Sequence, residues 1–280
     1  MVEPLSVREL GAAPAEATHR CLIVHGIMGS SQNWLGAARA LLSRFPTWSI
    51  RLLDLPGHGA SSHVGIEPKL PDIAARVKKK LDADGWRPTI LMGHSFGGKT
   101  MIELSMCYPE QSLDVWLLDA PMNADTLVTG TQTIEKILSV VQGLPDPKSR
   151  KMVLDAFQAA GLDDGIGQWM NTNLRRIKTG FEWKIEPSFI RAALKDYLSR
   201  DYWSFLTHRP DNQMLHSVLA GRSTWWRGEV ERRLRKLPRS QLHTLHRAGH
   251  WVHIDDLNGL VQCLESVYLK NVESVLLKKI

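Results

Sequence analysis

Short, continuous apolar runs alternate with segments of helical periodicity over residues 20–121. Most side chains are apolar in the runs at 20–24 and Leu113–Leu118, which is typical of strands buried on both faces. Between such runs, Ala38, Leu41 and Phe45 recur at helical spacing. Further strands are predicted at Trp48–Leu53, 89–92, 214–219 and 241–245. This rhythm predicts an α/β fold with a mostly parallel central sheet flanked by helices.

The alternation of strand-like and helix-like segments stops between residues 122 and 206. Phe189, Ala193 and Tyr197 outline one helix there, but no run has the character of a core strand. A gap of roughly 85 residues is far too long for a simple connection. We therefore expect one core domain, made from residues 1–121 and 207–280, with a helical lid inserted at residues 122–206. This segment is called the insertion below.

Composition and charge limit the classes of protein to which the chain can belong. The chain has 280 residues, a formal net charge of +6 and three cysteines without a metal-ligand spacing. It has no apolar run of the ~20 residues that a membrane span needs, and residues 1–20 lack the apolar core of a signal peptide. We expect an intracellular, cytoplasmic protein, or an organellar one if a targeting segment was removed. We expect no cofactor, no bound metal and no nucleic-acid partner, and a monomer or homodimer.

The strongest local signal is the sequence Gly93-His94-Ser95-Phe96-Gly97, between a predicted strand and a predicted helix. A G-x-S-x-G motif in this context is typical of a nucleophile elbow, which lifts a serine hydroxyl above the sheet. Small residues are needed on both sides because the turn is tight. Ser95 is therefore the candidate nucleophile.

A serine hydroxyl needs a base, and the base needs an acid that holds its tautomer. The candidate base is His250, in a loop just after the last predicted strand. The candidate acid is Asp119, directly after the strand that neighbours the one carrying Ser95. Ser223, at the end of another strand, is a candidate supporting hydrogen-bond partner of His250.

The oxyanion of a tetrahedral intermediate needs two backbone donors. The N–H of Phe96 follows the nucleophile and is the first candidate. The second is expected from the glycine-flanked loop at 25–29, where Ile27 is the first choice and Met28 the second. The loop 25–29 contains no phosphate-binding glycine motif.

Two groups of residues are expected to contact ligands. Met28 and Trp251 adjoin the oxyanion loop and the base, and Trp169 and Trp183 belong to the aromatic-rich insertion; these four are candidate substrate contacts. Cations outnumber acids between Arg222 and Arg239. That run is interpreted first as a solvated helix face; the alternative is a site for phosphate, CoA or an acidic lipid surface.

Four blocks together resemble the α/β-hydrolase superfamily: residues 25–30, 54–59, 93–99 and 249–253. Gly-Gly-Lys after the nucleophile and Gly-His-Trp-Val-His resemble the branch of bacterial YbfF-type esterases and mammalian α/β-hydrolase domain-containing protein eleven. The resemblance implies an α/β-hydrolase fold and cofactor-free hydrolysis of esters or thioesters. It also implies an acid at the position of Asp119 and a serine at that of Ser223. Relatives of the mammalian type are mitochondrial.

The sequence therefore predicts a serine carboxylic-ester hydrolase with a Ser95–His250–Asp119 triad, acting on short to medium acyl or aromatic esters. Two alternatives use the same residues. One is acyl-thioester cleavage or another hydrolytic reaction. The other is a small-molecule receptor on a hydrolase scaffold. Asp54 and His58, in the loop 54–59, are expected to stabilise that loop rather than to form a second catalytic pair.

Overall fold

The computed structural model describes residues 5–124, 128–223 and 228–269. The strands of its main sheet are β1 Val7–Gly11, β2 His19–Val24, β3 Trp48–Leu53, β4 Ile90–His94, β5 Leu113–Leu118, β8 Gln213–Ala220 and β9 Ser240–Leu245. They lie in the order β1-β3-β2-β4-β5-β8-β9, and β1 alone runs antiparallel to its neighbour. This sheet confirms the predicted α/β-hydrolase fold class.

Alternate residues of each central strand face opposite sides of the sheet, and both sides are apolar. In β2, Leu22 and Val24 join one buried cluster, whereas Cys21 and Ile23 join the other. Burial on both faces explains why these strands read as continuous apolar runs.

Helices cover both faces, as predicted. Those of the core are α1 Leu35–Arg44, α2 Leu70–Ala83, α3 Phe96–Met106, α9 Glu229–Lys236, α10 Val252–Asp255 and α11 Leu257–Tyr268. The buried side chains of α1 and α11 pack on one face, and those of α2 and α3 on the other. None of the helices in the described ranges combines the length and hydropathy that crossing a bilayer requires.

The carboxyl ends of the parallel strands lie side by side. Val24 pairs with Gly93, and His94 pairs with Leu118, so β2, β4 and β5 end next to one another. The loops that follow these strands begin with His25, Ser95 and Asp119. Register alone therefore brings three sequence-predicted functional segments to one edge of the sheet.

The insertion has its own buried cluster, which includes Leu138, Phe157 and Met170. Its described elements are α4 Val128–Gly143, α5 Arg150–Ala159, α6 Asp164–Asn171, β6 Leu174–Ile177, β7 Gly180–Trp183, α7 Pro187–Ser199 and α8 Trp203–His208. The expectation of helices alone is corrected here, because β6 and β7 form an antiparallel hairpin. Four-residue strands beside polar side chains such as Arg175 and Lys178 give too short a pattern to recognise.

Strand β1 was also not predicted. It pairs with β3 only, from Val7 opposite Leu53 to Gly11 opposite Ser49. Its central residues Arg8 and Glu9 are exposed, so the segment lacks the apolar continuity of the inner strands. Charged side chains are typical of an edge strand, since they discourage pairing with another chain.

Candidate active site

Ser95 lies at a sharp turn between β4 and α3. Its backbone has φ 51° and ψ −115°, a conformation that non-glycine residues rarely adopt. The turn is possible because its flanks are glycines: a Cβ on Gly93 would overlap the carbonyl of Gly97, and one on Gly97 would press on the carbonyl of His25. The strained backbone and the crowded glycines are those of a nucleophile elbow.

His250 and Asp119 form a direct pair. His250 Nδ1 lies 2.8 Å from Asp119 Oδ2, and Asp119 is fully buried. The other carboxylate oxygen, Oδ1, accepts the N–H of Ala220 at 3.1 Å. This places the carboxylate in a fixed orientation, from which it can hold a proton on Nδ1 and leave Nε2 as the base.

His94 contacts the loop that carries the base. Its Nε2 lies 2.7 Å from the carbonyl oxygen of His250, so Nε2–H is the donor. Burial lowers the pKa of His94 well below its ordinary value, and the neighbouring His250 and His253 lower it further. His94 is therefore a neutral donor that fastens the His250 loop to the elbow.

The loop 25–29 packs directly beside the nucleophile. A Cβ on Gly26 would press on the ring of His94 and would come within 3.4 Å of Ser95 Cβ. The N–H of Gly29 donates to the carbonyl of Gly26 at 3.0 Å, which closes a turn around Ile27 and Met28. Met28 has φ 56°. The roles of Ile27, Met28 and Phe96 as oxyanion donors stay predictions; Ile27, Met28 and Phe96 all line the cavity that contains Ser95.

Asn173, which lies between α6 and β6, supports the site but was not predicted from the sequence. Its side-chain N–H donates to the carbonyl of Met28 at 2.7 Å, and the residue is fully buried. The insertion thus supports the backbone of the loop 25–29. One asparagine in a polar stretch, 145 residues from its partner, gives no sequence signal of this contact.

A cavity of about 770 Å³ lies between the carboxyl edge of the sheet and the insertion. Ser95 and His250 line it, as do three of the four candidate substrate contacts: Met28, Trp169 and Trp251. The rings of Trp169 and Trp251 lie 5.8 Å apart, so the insertion and the base loop meet there.

The structure contradicts the predicted role of Trp183 and leaves that of Ser223 a prediction. Trp183 is half-buried and packs against the insertion's own core: its indole N–H donates to the Leu144 carbonyl at 2.7 Å, and it is absent from the cavity lining. That expectation is corrected; aromatic content alone does not reveal which face a side chain occupies. The N–H of Ser223 donates to Ala220 at 3.0 Å, close to the Asp119 anchor. Its contact with His250 stays a prediction.

The basic run 222–239 is only partly described, because residues 224–227 lie outside the described ranges. In α9, Arg235 pairs with Glu231, and Arg233 stacks on Trp203 with 4.1 Å from its guanidinium carbon to the ring centroid. Arg239 pairs with Asp211 at 2.8 Å. These contacts agree with the solvated-face interpretation, and the anionic ligand stays a prediction.

The loop 54–59 is stabilised as expected. Asp54 accepts the N–H of Ser31 at 2.6 Å and that of Ala60 at 3.0 Å. Burial, with a smaller contribution from His25, lowers the pKa of His58 to about 3, so the ring is neutral. Within the part of the chain that the structure describes, His, Cys, Asp and Glu form no group that could hold a metal ion.

Comparison with known proteins identifies one family that the chain resembles over most of its length. The profile of the alpha/beta hydrolase family matches residues 21–261. The mouse protein named sn-1-specific diacylglycerol lipase ABHD11 is 25% identical over 249 residues, which cover 88% of this chain and 79% of that protein. The Yersinia pestis 2-succinyl-6-hydroxy-2,4-cyclohexadiene-1-carboxylate synthase is 34% identical, but over only 37% of this chain and 38% of its own.

Solved structures share the fold. An esterase from a marine microorganism superposes with a TM-score of 0.80 at 21% identity and covers 94% of this chain and 99% of its own. A thioesterase domain from the curacin biosynthetic pathway superposes with a TM-score of 0.68 at 19% identity, over 94% of this chain and 95% of its own.

Proposed function

Since the chain belongs to the α/β-hydrolase family, we propose that it is a serine carboxylic-ester hydrolase with Ser95, His250 and Asp119 as its catalytic triad. The observation that carries the proposal is the 2.8 Å contact between His250 Nδ1 and the buried Asp119 carboxylate, in a cavity that Ser95 also lines. A carboxylate–imidazole pair beside a strained serine is an arrangement suited to acyl transfer.

The proposed reaction has two halves. Ser95 Oγ attacks the acyl carbon while His250 Nε2 takes its proton, and Asp119 stabilises the imidazolium that forms. The oxyanion accepts the N–H of Phe96 and an N–H from the loop 25–29. His250 then protonates the leaving alcohol, and water hydrolyses the acyl-enzyme by the same route.

The lining of the cavity favours substrates without a charge. Histidines aside, the charged side chains of its described lining are Lys99 and Asp163. Lys99 donates to backbone carbonyls, and Asp163 caps α6 by accepting the N–H of Ile166 at 2.9 Å. A mostly apolar cavity of about 770 Å³ suits short to medium acyl or aromatic esters. The name of the mouse relative makes a neutral diacylglycerol a sensible member of the substrate panel.

Thioester cleavage on the same triad is the alternative that the basic run 222–239 would favour, through the phosphates of CoA. Among its described residues, only Val230 lines the cavity. Two cations of α9 are engaged elsewhere: Arg235 pairs with Glu231, and Arg233 stacks on Trp203. This arrangement supports the ester over the CoA thioester. A small-molecule receptor on the same scaffold would differ from the esterase only in its much slower turnover.

The test is a rate series on p-nitrophenyl esters from acetate to laurate, together with dioctanoylglycerol and an acyl-CoA. Ser95→Ala is expected to lose about 10⁶-fold in kcat, because the nucleophile is removed. The matched control is Ser105→Ala on the same helix, whose hydroxyl donates to Ile102 at 2.7 Å and which is not part of the cavity lining. It should keep kcat within about twofold.

A fluorophosphonate probe adds a direct measurement. Intact mass should show one adduct on the wild type and none on Ser95→Ala. Adduct formation with turnover far below ~1 s⁻¹ on every ester would favour the receptor. Turnover that persists in Ser95→Ala would exclude the proposed mechanism.

A further inference from the structure

Lys99, in the Gly-Gly-Lys that follows the nucleophile, is a buried cation that the triad does not use. It lies in the first turn of α3 and is 1% exposed. Its Nζ lies 2.9 Å from the carbonyl oxygen of Asn123, 2.7 Å from that of Tyr197 and 2.8 Å from that of Arg200. Asn123 begins the insertion, and Tyr197 and Arg200 end its helix α7. Lys99 therefore fastens the first residues of the insertion and the end of α7 to the nucleophile helix.

Glu103 provides a second attachment one turn further along α3. It is 8% exposed, accepts the hydroxyl of Tyr202 at 2.7 Å and lies 3.3 Å from the guanidinium of Arg200. Arg200 also binds Asp196 on α7 through two nitrogens, at 2.7 and 3.0 Å. Two buried, oppositely charged residues on one helix thus hold the same end of α7. Charged groups are buried at this depth only when they are well bonded.

The clamped end of α7 carries Tyr197, which reaches the nucleophile. Its ring lies 4.4 Å from Lys99 Nζ and 5.6 Å from the ring of Phe96. Tyr197 lines the same cavity as Ser95 and is 7% exposed. Burial raises the pKa of Tyr197 well above its ordinary value, although a hydrogen bond with the Ser95 side chain opposes this. The hydroxyl is therefore a protonated donor at neutral pH.

We propose that the Tyr197 hydroxyl is a further substrate-binding group, which donates a hydrogen bond to an oxygen of the ester held at Ser95, and that Lys99 is the positioning residue that sets it there. The inference rests on the proposed function. Tyr197 and Ser95 line the same cavity, so an ester bound at Ser95 brings an oxygen within reach of the hydroxyl as the tetrahedral state forms. No proton is transferred, because a neutral phenol donates without ionising.

Tyr197→Phe tests the hydroxyl by itself. We expect kcat for p-nitrophenyl butyrate to fall by about 10- to 100-fold with KM changed less than about threefold, because the bond is made mainly in the tetrahedral state. Tyr202→Phe is the matched control: it removes a hydroxyl from the same cluster, bonded to Glu103, that does not belong to the cavity lining. It should keep kcat within about twofold, even if its melting temperature falls.

Lys99→Met tests the positioning role, since it keeps the length of the side chain and removes the charge. We expect a loss of kcat similar to that of Tyr197→Phe and no further loss in the double variant, because Lys99 acts through Tyr197. Thermal unfolding checks that each variant is folded. If Lys99→Met does not fold, Lys99→Arg is used instead, alone and combined with Tyr197→Phe.

Two results would overturn the inference. Equal kcat in Tyr197→Phe and Tyr202→Phe would show that the Tyr197 hydroxyl does not bind the substrate. Additive losses in the double variant of Lys99 and Tyr197 would show that Lys99 does not act through Tyr197. Ser95→Ala is measured alongside. If it is inactive while Tyr197→Phe is fully active, the hydrolase proposal stands and this inference alone fails.

Discussion

The carboxyl edge of the sheet and the insertion hold their functional groups by different means. At the edge, the backbone places the groups: Ser95 and Asp119 both have positive φ, and Gly93 leaves no space for a Cβ. In the insertion, single side chains make the attachment, through Asn173 to the loop 25–29 and through α7 to Lys99. In the proposed mechanism, the positions of the reacting groups therefore depend on turn geometry at the edge and on individual hydrogen bonds in the insertion.

The two regions also differ in charge. At the edge, burial lowers the pKa of His94 and of His253, so both rings are neutral at pH 7. Around α7, the contacts are between formal charges, such as Arg200 with Asp196 at 2.7 Å. Acid should therefore weaken the two regions at different pH values.

The largest effect is expected at the edge, from Asp119→Asn. An amide cannot hold the Nδ1–H tautomer of His250 in the same way, so kcat should fall by about 10⁴-fold. Asp54→Asn is the matched control, because Asp54 is also buried after a strand and its carboxylate accepts the N–H groups of Ser31 and Ala60. It should lower stability by about 1–3 kcal/mol and leave kcat within about tenfold.

The readout is kcat together with urea unfolding for both variants. Asp119→Asn with more than a tenth of wild-type kcat would mean that another group orients His250. The carboxyl edge of the sheet would then not differ from the insertion in the proposed way, because its base would no longer depend on a fixed strand-end carboxylate.

A smaller effect is expected from the insertion, in Asn173→Ala. The Met28 carbonyl loses its buried donor, which should cost about 1–3 kcal/mol of unfolding free energy. If Met28 belongs to the oxyanion loop as predicted, kcat should also fall by about tenfold. Asn171→Ala is the control: its side chain donates to the Arg150 carbonyl at 3.3 Å, within the insertion.

Asn171→Ala should lose stability with kcat within about twofold. The two asparagines lie two residues apart and are both buried, so they differ mainly in the partner they bind. Equal kcat in the two variants would show that the insertion stabilises the loop 25–29 without affecting catalysis.

The edge of the sheet could be predicted because its constraints are local. The spacing Gly93–Ser95–Gly97 records a turn that only small flanking residues permit. Asp119 could be found because a strand end is visible in sequence and parallel strands end at one edge. The pairing of His250 with Asp119, 131 positions apart, followed from the chemistry that a serine needs rather than from the pattern.

The insertion could not be predicted in the same way. The partners of Lys99 are backbone carbonyls, which every residue has, so nothing in the sequence marks Asn123 or Arg200 as acceptors. Trp183 was misplaced because an aromatic residue can pack in the insertion's own core as well as in a cavity. The hairpin β6–β7 was missed because eight residues carry too little periodicity.

The smallest expected effect is on the pH dependence of stability, through His253. Burial lowers its pKa to about 3, and its ring stacks on Trp34 at 4.0 Å and lies near those of His94 and His250. Between pH 6.5 and about 3, the unfolded chain binds a proton at this histidine that the folded chain does not, so acid destabilises the fold. His253→Phe should reduce the slope of unfolding free energy against pH by about 1.4 kcal/mol per unit in that window.

Asp196→Asn supplies the contrast from the insertion. Burial would raise the pKa of Asp196, but hydrogen bonds from Arg200 and from the N–H of Leu70 outweigh it and lower the pKa below its ordinary value. A carboxylate of this kind stabilises the fold above its unfolded pKa and loses that contribution as pH falls through the folded pKa, below about 4. Urea unfolding at pH 7, 6, 5 and 4.5 should therefore give a shallower slope for His253→Phe and the wild-type slope for Asp196→Asn. Parallel curves for wild type and His253→Phe would mean that the edge histidine is charged in the folded protein, and the electrostatic difference between the two regions would not hold.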